Sequence, residues 1–289
     1  MKQPEVSPMT RVIAVVNQKG GVGKSTIVVN LAAVVAQLIQ LISMLCGRVD
    51  PNAQSRVAAI SIDPQGSAQW WASRVDDLNF HLIQAHDDPL EWIRQLNDLP
   101  GIDYVFVDTP GWFDVDPDGS ADGLGIGYSA DALRTVLDVS DHVIVPMMTE
   151  PLCFDPTART IRKLLEPRGL PFTVVINNWN TRDGKGWLDA TKDFVKSFGW
   201  PLAETVIRRY LIHTNASSDG VVVTEYANGL SEDKRRETDE KKKDPALKAA
   251  DDFYKLAKEI TGLSLEPELG DTAESSIAAL AASKSAQAV

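Results

Sequence analysis

Cysteine is nearly absent from this 289-residue chain, which has only two, Cys46 and Cys153, far apart in sequence. That scarcity excludes a disulfide framework and a cysteine-rich metal knuckle, and predicts two buried free thiols in a reducing compartment. Histidine is also sparse, at four residues, and His81 and His86 have no Cys or His companions at ligand spacing, so no structural zinc site is expected. A basic excess is missing as well. The formal net charge is -11 and the pI near 4.9, which argues against a protein coated in nucleic acid while leaving room for a local basic face. The opening MKQPEVSPMTR lacks an apolar signal segment. Residues 1–10 read as a short disordered polar lead with no room for a helix-turn-helix ahead of the core.

What the chain does have is concentrated in residues 12–26, VIAVVNQKGGVGKST. Val12 to Val16 are nearly all apolar and β-branched, which predicts a short buried strand. The glycines that follow permit tight turns that aim several backbone N–H groups at one anion. Gly20, Gly21, Val22, Gly23, Lys24, Ser25 and Thr26 therefore read as a phosphate cradle, with Ser25 and Thr26 opening a helix. In such a cradle Lys24 reaches the outer phosphates and Ser25 offers a hydroxyl to Mg²⁺. Lys19 adds a second lysine, where an ordinary cradle needs one. Its economical use is to neutralise triphosphate charge, in its own site or across a dimer seam.

QKGGVGKST resembles the deviant Walker A motif of the ParA/MinD family of ATPases. The resemblance implies that Lys19 is the signature lysine, which in that family crosses to the partner's nucleotide in an ATP-sandwich homodimer.

Ile27 to Leu45 form the one long apolar run. Asn30, Gln37 and Gln40 interrupt it and its start is pinned to the polar loop, so a helix buried against a sheet is expected, not a membrane span. Relative to the family the segment from about residue 37 to 55 is long, predicting an extended helix plus loop. Val57 to Ile62 are the next strand, delivering Asp63 in DPQGS to the strand end where open α/β sheets bind ligands. A carboxylate there orients the attacking water; the alternative is a turn-capping role. DPQGS resembles the family's switch I, although Ser61 stands where the family often has a further aspartate. Trp70 and Trp71 read as packing anchors.

Further strands are expected at Phe80 to Gln84, Tyr104 to Val107, His142 to Pro146 and Phe172 to Asn177, with helices over 88–96, 129–137, 157–165 and 188–198. The strand ending in DTPG is a Walker B pattern that brings Asp108 to Mg²⁺ through a water, and Gly111 is placed to give an N–H to the γ-phosphate. Residues 112–128 are acidic and glycine-rich but lack the glutamate and flanking helices of a calcium loop, so a mobile surface loop is the plainer reading. Asn177 suits adenine, and the resemblance implies the same; Asn178 is a weaker candidate and Arg182 a nucleotide-side or interface residue. Arg208 and Arg209 are the first candidates for DNA phosphates. The mixed-charge stretch 231–244 reads as solvated. A closing helix, ALKAADDFYKLAKEI, ends the core, and residues 263–289 are expected to be a disordered tail too weakly amphipathic to hold a membrane.

The expectation is one ATPase domain over residues 11–262, an α/β doubly wound, mostly parallel sheet of the deviant Walker A (SIMIBI-type) P-loop NTPase group, using ATP and Mg²⁺. The resemblance implies a cytoplasmic, nucleoid-associated ParA-type partition ATPase for plasmid or chromosome. Its ATP homodimer would bind nonspecific DNA, and a ParB-like centromere-binding protein would stimulate hydrolysis. The alternative is an ATPase that positions a protein cargo, such as a carboxysome or chemosensory cluster, or regulates the division site. A metal-transfer relative of the nitrogenase iron-protein type would need bridging cysteines, which Cys46 and Cys153 are not placed to supply. A passive scaffold would have lost Lys19 or Asp63, and both are present.

Overall fold

Successive side chains of a strand point to opposite faces. Along β1 (Arg11–Val15), Val12 and Ala14 enter one buried layer and Ile13 and Val15 the other. A strand covered on both faces has to be apolar throughout, and β1 sits in the middle of a seven-stranded sheet. The computed structural model describes residues 9–47, 54–76, 78–111, 124–230, 232–239 and 241–264. Most of the polar lead, residues 48–53 of the extended first-helix segment, residues 112–123 of the acidic loop and the tail from residue 265 lie outside the described residues.

The other strands are β2 (Val57–Ser61), β3 (His81–Gln84), β4 (Tyr104–Asp108), β5 (His142–Met147), β6 (Phe172–Trp179) and β7 (Leu202–Arg208). All neighbours pair in parallel, in the order β3-β2-β4-β1-β5-β6-β7. The chain winds outward from β1, returns at β4 and then crosses to β5 on the opposite side. That reversal opens a crevice at the carboxyl end of β1, the place where such sheets bind ligands.

The connecting helices are α1 (Lys24–Leu45), α2 (Ser67–Ala72), α3 (Leu90–Ile93), α4 (Tyr128–Val139), α5 (Phe154–Thr160), α6 (Lys185–Ser197), α7 (Leu211–Asp219), α8 (Val223–Asn228), α9 (Glu232–Arg235) and α10 (Pro245–Thr261). Helices α1, α8 and α10 cover the face that carries Ile13 and Val15, and α4 and α5 the face that carries Val12 and Ala14. The expected helix over 88–96 is broken into α3 and a tight turn at Leu96–Asp98, with Pro89 at the start of α3. The one expected over 157–165 begins earlier, at Phe154, and ends in a π-helical turn, Ile161–Leu165.

Helix α1 is long and apolar enough to cross a membrane by length and composition, yet most of it is buried in the protein core. Its polar interruptions are fasteners. Asn30 Oδ1 accepts the Val223 N–H at 3.0 Å, Gln37 Nε2 donates to Thr224 Oγ1 at 3.0 Å, and Tyr254 donates its hydroxyl to Gln37 Oε1 at 2.8 Å. Two turns apart, Asn30 and Gln37 share a helix face, and so they tie α8 and α10 to α1. Cys153 is buried as expected, whereas Cys46, just past α1, is exposed.

Candidate functional site

The loop between β1 and α1 has the shape of an anion cradle because two of its glycines take backbone conformations that other residues rarely adopt. Gly21 has φ 76° and Gly23 φ 85°, both left-handed. A Cβ at Gly23 would also fall 2.3 Å from the Asn177 side-chain nitrogen. That nitrogen, at the end of β6, donates to the Val22 carbonyl at 2.7 Å. The Asn177 N–H thus braces the cradle, and Asn177 also lines the adjoining cleft, together with Asn178 at φ 57°.

Lys24 is buried, and its ammonium folds back onto the carbonyls of Asn17 at 3.2 Å and Lys19 at 3.3 Å. Burial lowers its pKa, opposed by the carboxylates of Asp108 and Asp63. Neutral carbonyls at these distances are weaker partners than a phosphate, which makes a charge-assisted bond.

Asp108 ends β4, where Oδ2 accepts the Ser25 hydroxyl at 2.8 Å. Its Oδ1 is buried and without a hydrogen-bond partner among the described residues. Burial pushes the carboxyl up to about 7, the Ser25 hydrogen bond opposing and the Asp63 charge reinforcing the shift. A buried acceptor with no donor is rare. The shell of water around a Mg²⁺ supplies donors of the kind Oδ1 lacks, so Ser25 and Asp108 fit that ion.

Asp63 lies just past β2, whose register sets Ser61 opposite Asp108. Its Oδ1 accepts the Gln65 N–H at 3.0 Å and its carbonyl accepts the Gln84 amide at 2.9 Å. The carboxylate is therefore held by a local turn beside the Lys24 and Asp108 charges. A Cβ at Gly111 would lie 3.2 Å from Gly20 Cα and 3.5 Å from Lys24 Nζ, so this switch position rests directly on the cradle. The Lys19 ammonium makes no ion pair among the described residues, while its backbone N–H is held by Asn17 Oδ1 at 2.9 Å.

Above the loop opens a cleft of about 1270 Å³, floored by Gly21, Gly23, Ser25 and Thr26. Trp70, its ring 3.7 Å from the Arg74 guanidinium, lines the cleft, as do Arg182 and Arg209. Trp71 is the packing anchor of the pair, buried with its indole N–H on the Val221 carbonyl at 3.0 Å.

The arginine pair expected to meet DNA is used differently. Arg208 forms a two-pronged ion pair with Asp252 of α10, at 2.7 Å from Nη2 to Oδ1 and 3.0 Å from Nε to Oδ2, and Nη2 also donates to the Lys248 carbonyl. With the two side chains only 20% and 5% exposed, the guanidinium ties β7 to α10. Arg209 lines the cleft beside the cradle. Asn17, Thr157 and Thr160, which hold the front of the cradle, were not foreseen. For Asn17 the signal was a polar residue ending an apolar strand.

Comparison with known proteins bears on this geometry. A family model described as an AAA domain matches residues 10–70. The maintenance of carboxysome distribution protein A of Gloeobacter kilaueensis is 30% identical over 221 residues, 76% of this chain and 87% of that protein. The chain belongs to the ParA/MinD family of P-loop ATPases. This is a homodimerising family. The protein of the same description from Halothiobacillus neapolitanus is 26% identical over 220 residues, 73% of this chain and 85% of that one. Among solved structures, the MinC:MinD complex of Aquifex aeolicus superimposes with a TM-score of 0.60 at 15% identity, covering 91% of this chain and 99% of that one. The ATP complex of a single-residue variant of Cyanothece McdA does so with 0.57 at 12%, covering 89% and 98%. The shared fold is the doubly wound P-loop architecture, here with an all-parallel sheet.

These relatives overturn the expectation of DNA partitioning. Both relatives matched over most of their length are carboxysome-distribution proteins. The chromosome-partitioning ATPase Soj of Thermus thermophilus is 39% identical over only 82 residues, 28% of this chain and 26% of that protein. A ParB-like partner and DNA binding find no support in the relatives that span the chain, and the Arg208 guanidinium is engaged by Asp252.

Proposed function

We propose that this ATPase positions a protein cargo, acting as an ATP-dependent dimer that hydrolysis resets. The similarity that spans most of a carboxysome-distribution protein carries the choice of cargo. Lys24 leaves its two loop carbonyls for the outer phosphates, and the backbone N–H groups of Gly20 to Thr26 cradle the rest. Ser25 and Asp108 would hold Mg²⁺, Asp108 through water; the ion supplies charge neutralisation on the phosphates. Asp63 accepts a hydrogen bond from the attacking water, and Gly111 senses the γ-phosphate from its place against Gly20. Lys19 reaches the nucleotide bound by the second subunit. Arg209, and with it Asn178, borders the nucleoside end of the cleft.

Imaging a tagged protein assembly in the source cell tests the reading. Deleting this gene, or substituting Lys24→Ala, is expected to turn evenly spaced assemblies into clumped ones while chromosomes and plasmids are inherited normally. Evenly spaced assemblies in the deletion strain would overturn it.

A further inference from the structure

The two halves of the cradle are supported from different places. Its second half is held by Asn177 and by the Ser25 bond to Asp108. Its first half is held by α5, no residue of which lines the nucleotide cleft. Asn17, fully buried, donates to the Pro146 carbonyl at 2.8 Å and to Thr157 Oγ1 at 2.9 Å, and accepts the Lys19 N–H at 2.9 Å. Thr160 Oγ1, on the same face of α5, accepts the Gln18 N–H at 3.0 Å while donating to the Pro156 carbonyl at 2.9 Å. Thr157 and Thr160 are both fully buried.

The arrangement matters most once Lys24 turns to phosphate. Its two bonds to the Asn17 and Lys19 carbonyls are then given up, and the bonds to α5 remain. Lys19 is long and flexible, so where its ammonium reaches depends on how firmly its main chain is held. A buried amide such as that of Asn17 resists any shift that would leave its donors unpaired.

We propose that Asn17, bonded to the Thr157 hydroxyl and followed by a Gln18 N–H held on the Thr160 hydroxyl, is a positioning residue for Lys19. It sets the direction in which that lysine leaves its own subunit, independently of the half of the loop that grips phosphate. The proposal rests on the reading that Lys19 serves the partner's nucleotide.

The test compares Thr157→Val and Thr160→Val, which remove a hydroxyl at nearly constant shape, with Thr157→Ser and Thr160→Ser, which keep it. Mg-ADP affinity, ATP-induced dimerisation and ATP turnover are measured on each. ADP affinity is expected to stay within about twofold of the parent while turnover and dimerisation fall about tenfold, with recovery in the serine variants. Unchanged turnover in the valine variants, or a parallel loss of ADP affinity, would overturn the proposal. Asn17→Ser, which breaks the bridge to Pro146 and Thr157, gives the same comparison if a valine variant does not fold. Lys19→Ala separates the two levels. If that variant dimerises and turns over normally, the reading of Lys19 fails; if it is defective while the others are normal, only the positioning role of Asn17 fails.

Discussion

At the scale of single residues, the site is a set of buried charges whose balance changes when ligand arrives. Burial holds the Asp108 carboxyl at about 7, above its ordinary 3.8. Metal-free folded protein therefore keeps a proton that the unfolded chain has released, and stability from this group falls as pH rises from about 4 to about 7. A cation requires the carboxylate, so the apparent affinity for Mg²⁺ in the presence of ADP is expected to rise about tenfold between roughly pH 6 and 8. Calorimetric titration at the two pH values checks this, and Asp108→Asn should flatten the dependence. Gly23 and Lys24 were legible as a cradle because each is set by local backbone chemistry. The bond between Asn177 and Val22 was not, because it joins the cradle loop to β6, a strand distant in sequence and separated from β1 by β5 in the sheet.

At the scale of elements, α1 is both the scaffold of the cradle and the inner wall of one core layer. An apolar run of this length is ambiguous in sequence, since core helices and membrane spans share it. Its polar residues resolve the matter only when their partners are seen. Gln37→Leu leaves the Thr224 and Tyr254 hydroxyls unpaired in the core, and is expected to cost about 1–3 kcal/mol in urea unfolding. Nucleotide affinity should change little, because Gln37 lies more than three turns from Lys24 along α1. The π-helical turn after α5 and the break of the helix expected over 88–96 were invisible for a related reason. Apolar periodicity reports which side of a segment is buried, not how its hydrogen bonds slip at the ends.

At the scale of the molecule, the reading is of a switch whose two states differ in subunit association. Asp63→Ala is expected to bind ATP normally and to accumulate as a dimer, seen as a doubled mass by light scattering in Mg-ATP and a monomer in Mg-ADP. Full ATPase turnover in this variant would remove Asp63 from the hydrolytic step. Cargo choice belongs to this scale as well. The cradle motifs are common to a family that moves different things, so they are silent on what is moved, and the proposal of a protein cargo over a DNA cargo rests on similarity that spans 76% of the chain.

By itself the sequence determined the α/β class with a mostly parallel sheet, and singled out the loop from Gly20 to Thr26 and Lys19, Lys24, Asp63 and Asp108 as candidates. Each follows from a short apolar strand ending in a few residues of restricted chemistry, and such patterns are local. Tertiary structure alone decided the work of Arg208, Asn17 and the polar residues of α1. Arg208 looks like a free cation until α10 folds back to set Asp252 beside it, and Asn17 looks incidental until α5 supplies the Thr157 hydroxyl. Which partner a buried polar group finds is a property of packing between segments distant in the chain, and no local pattern encodes it.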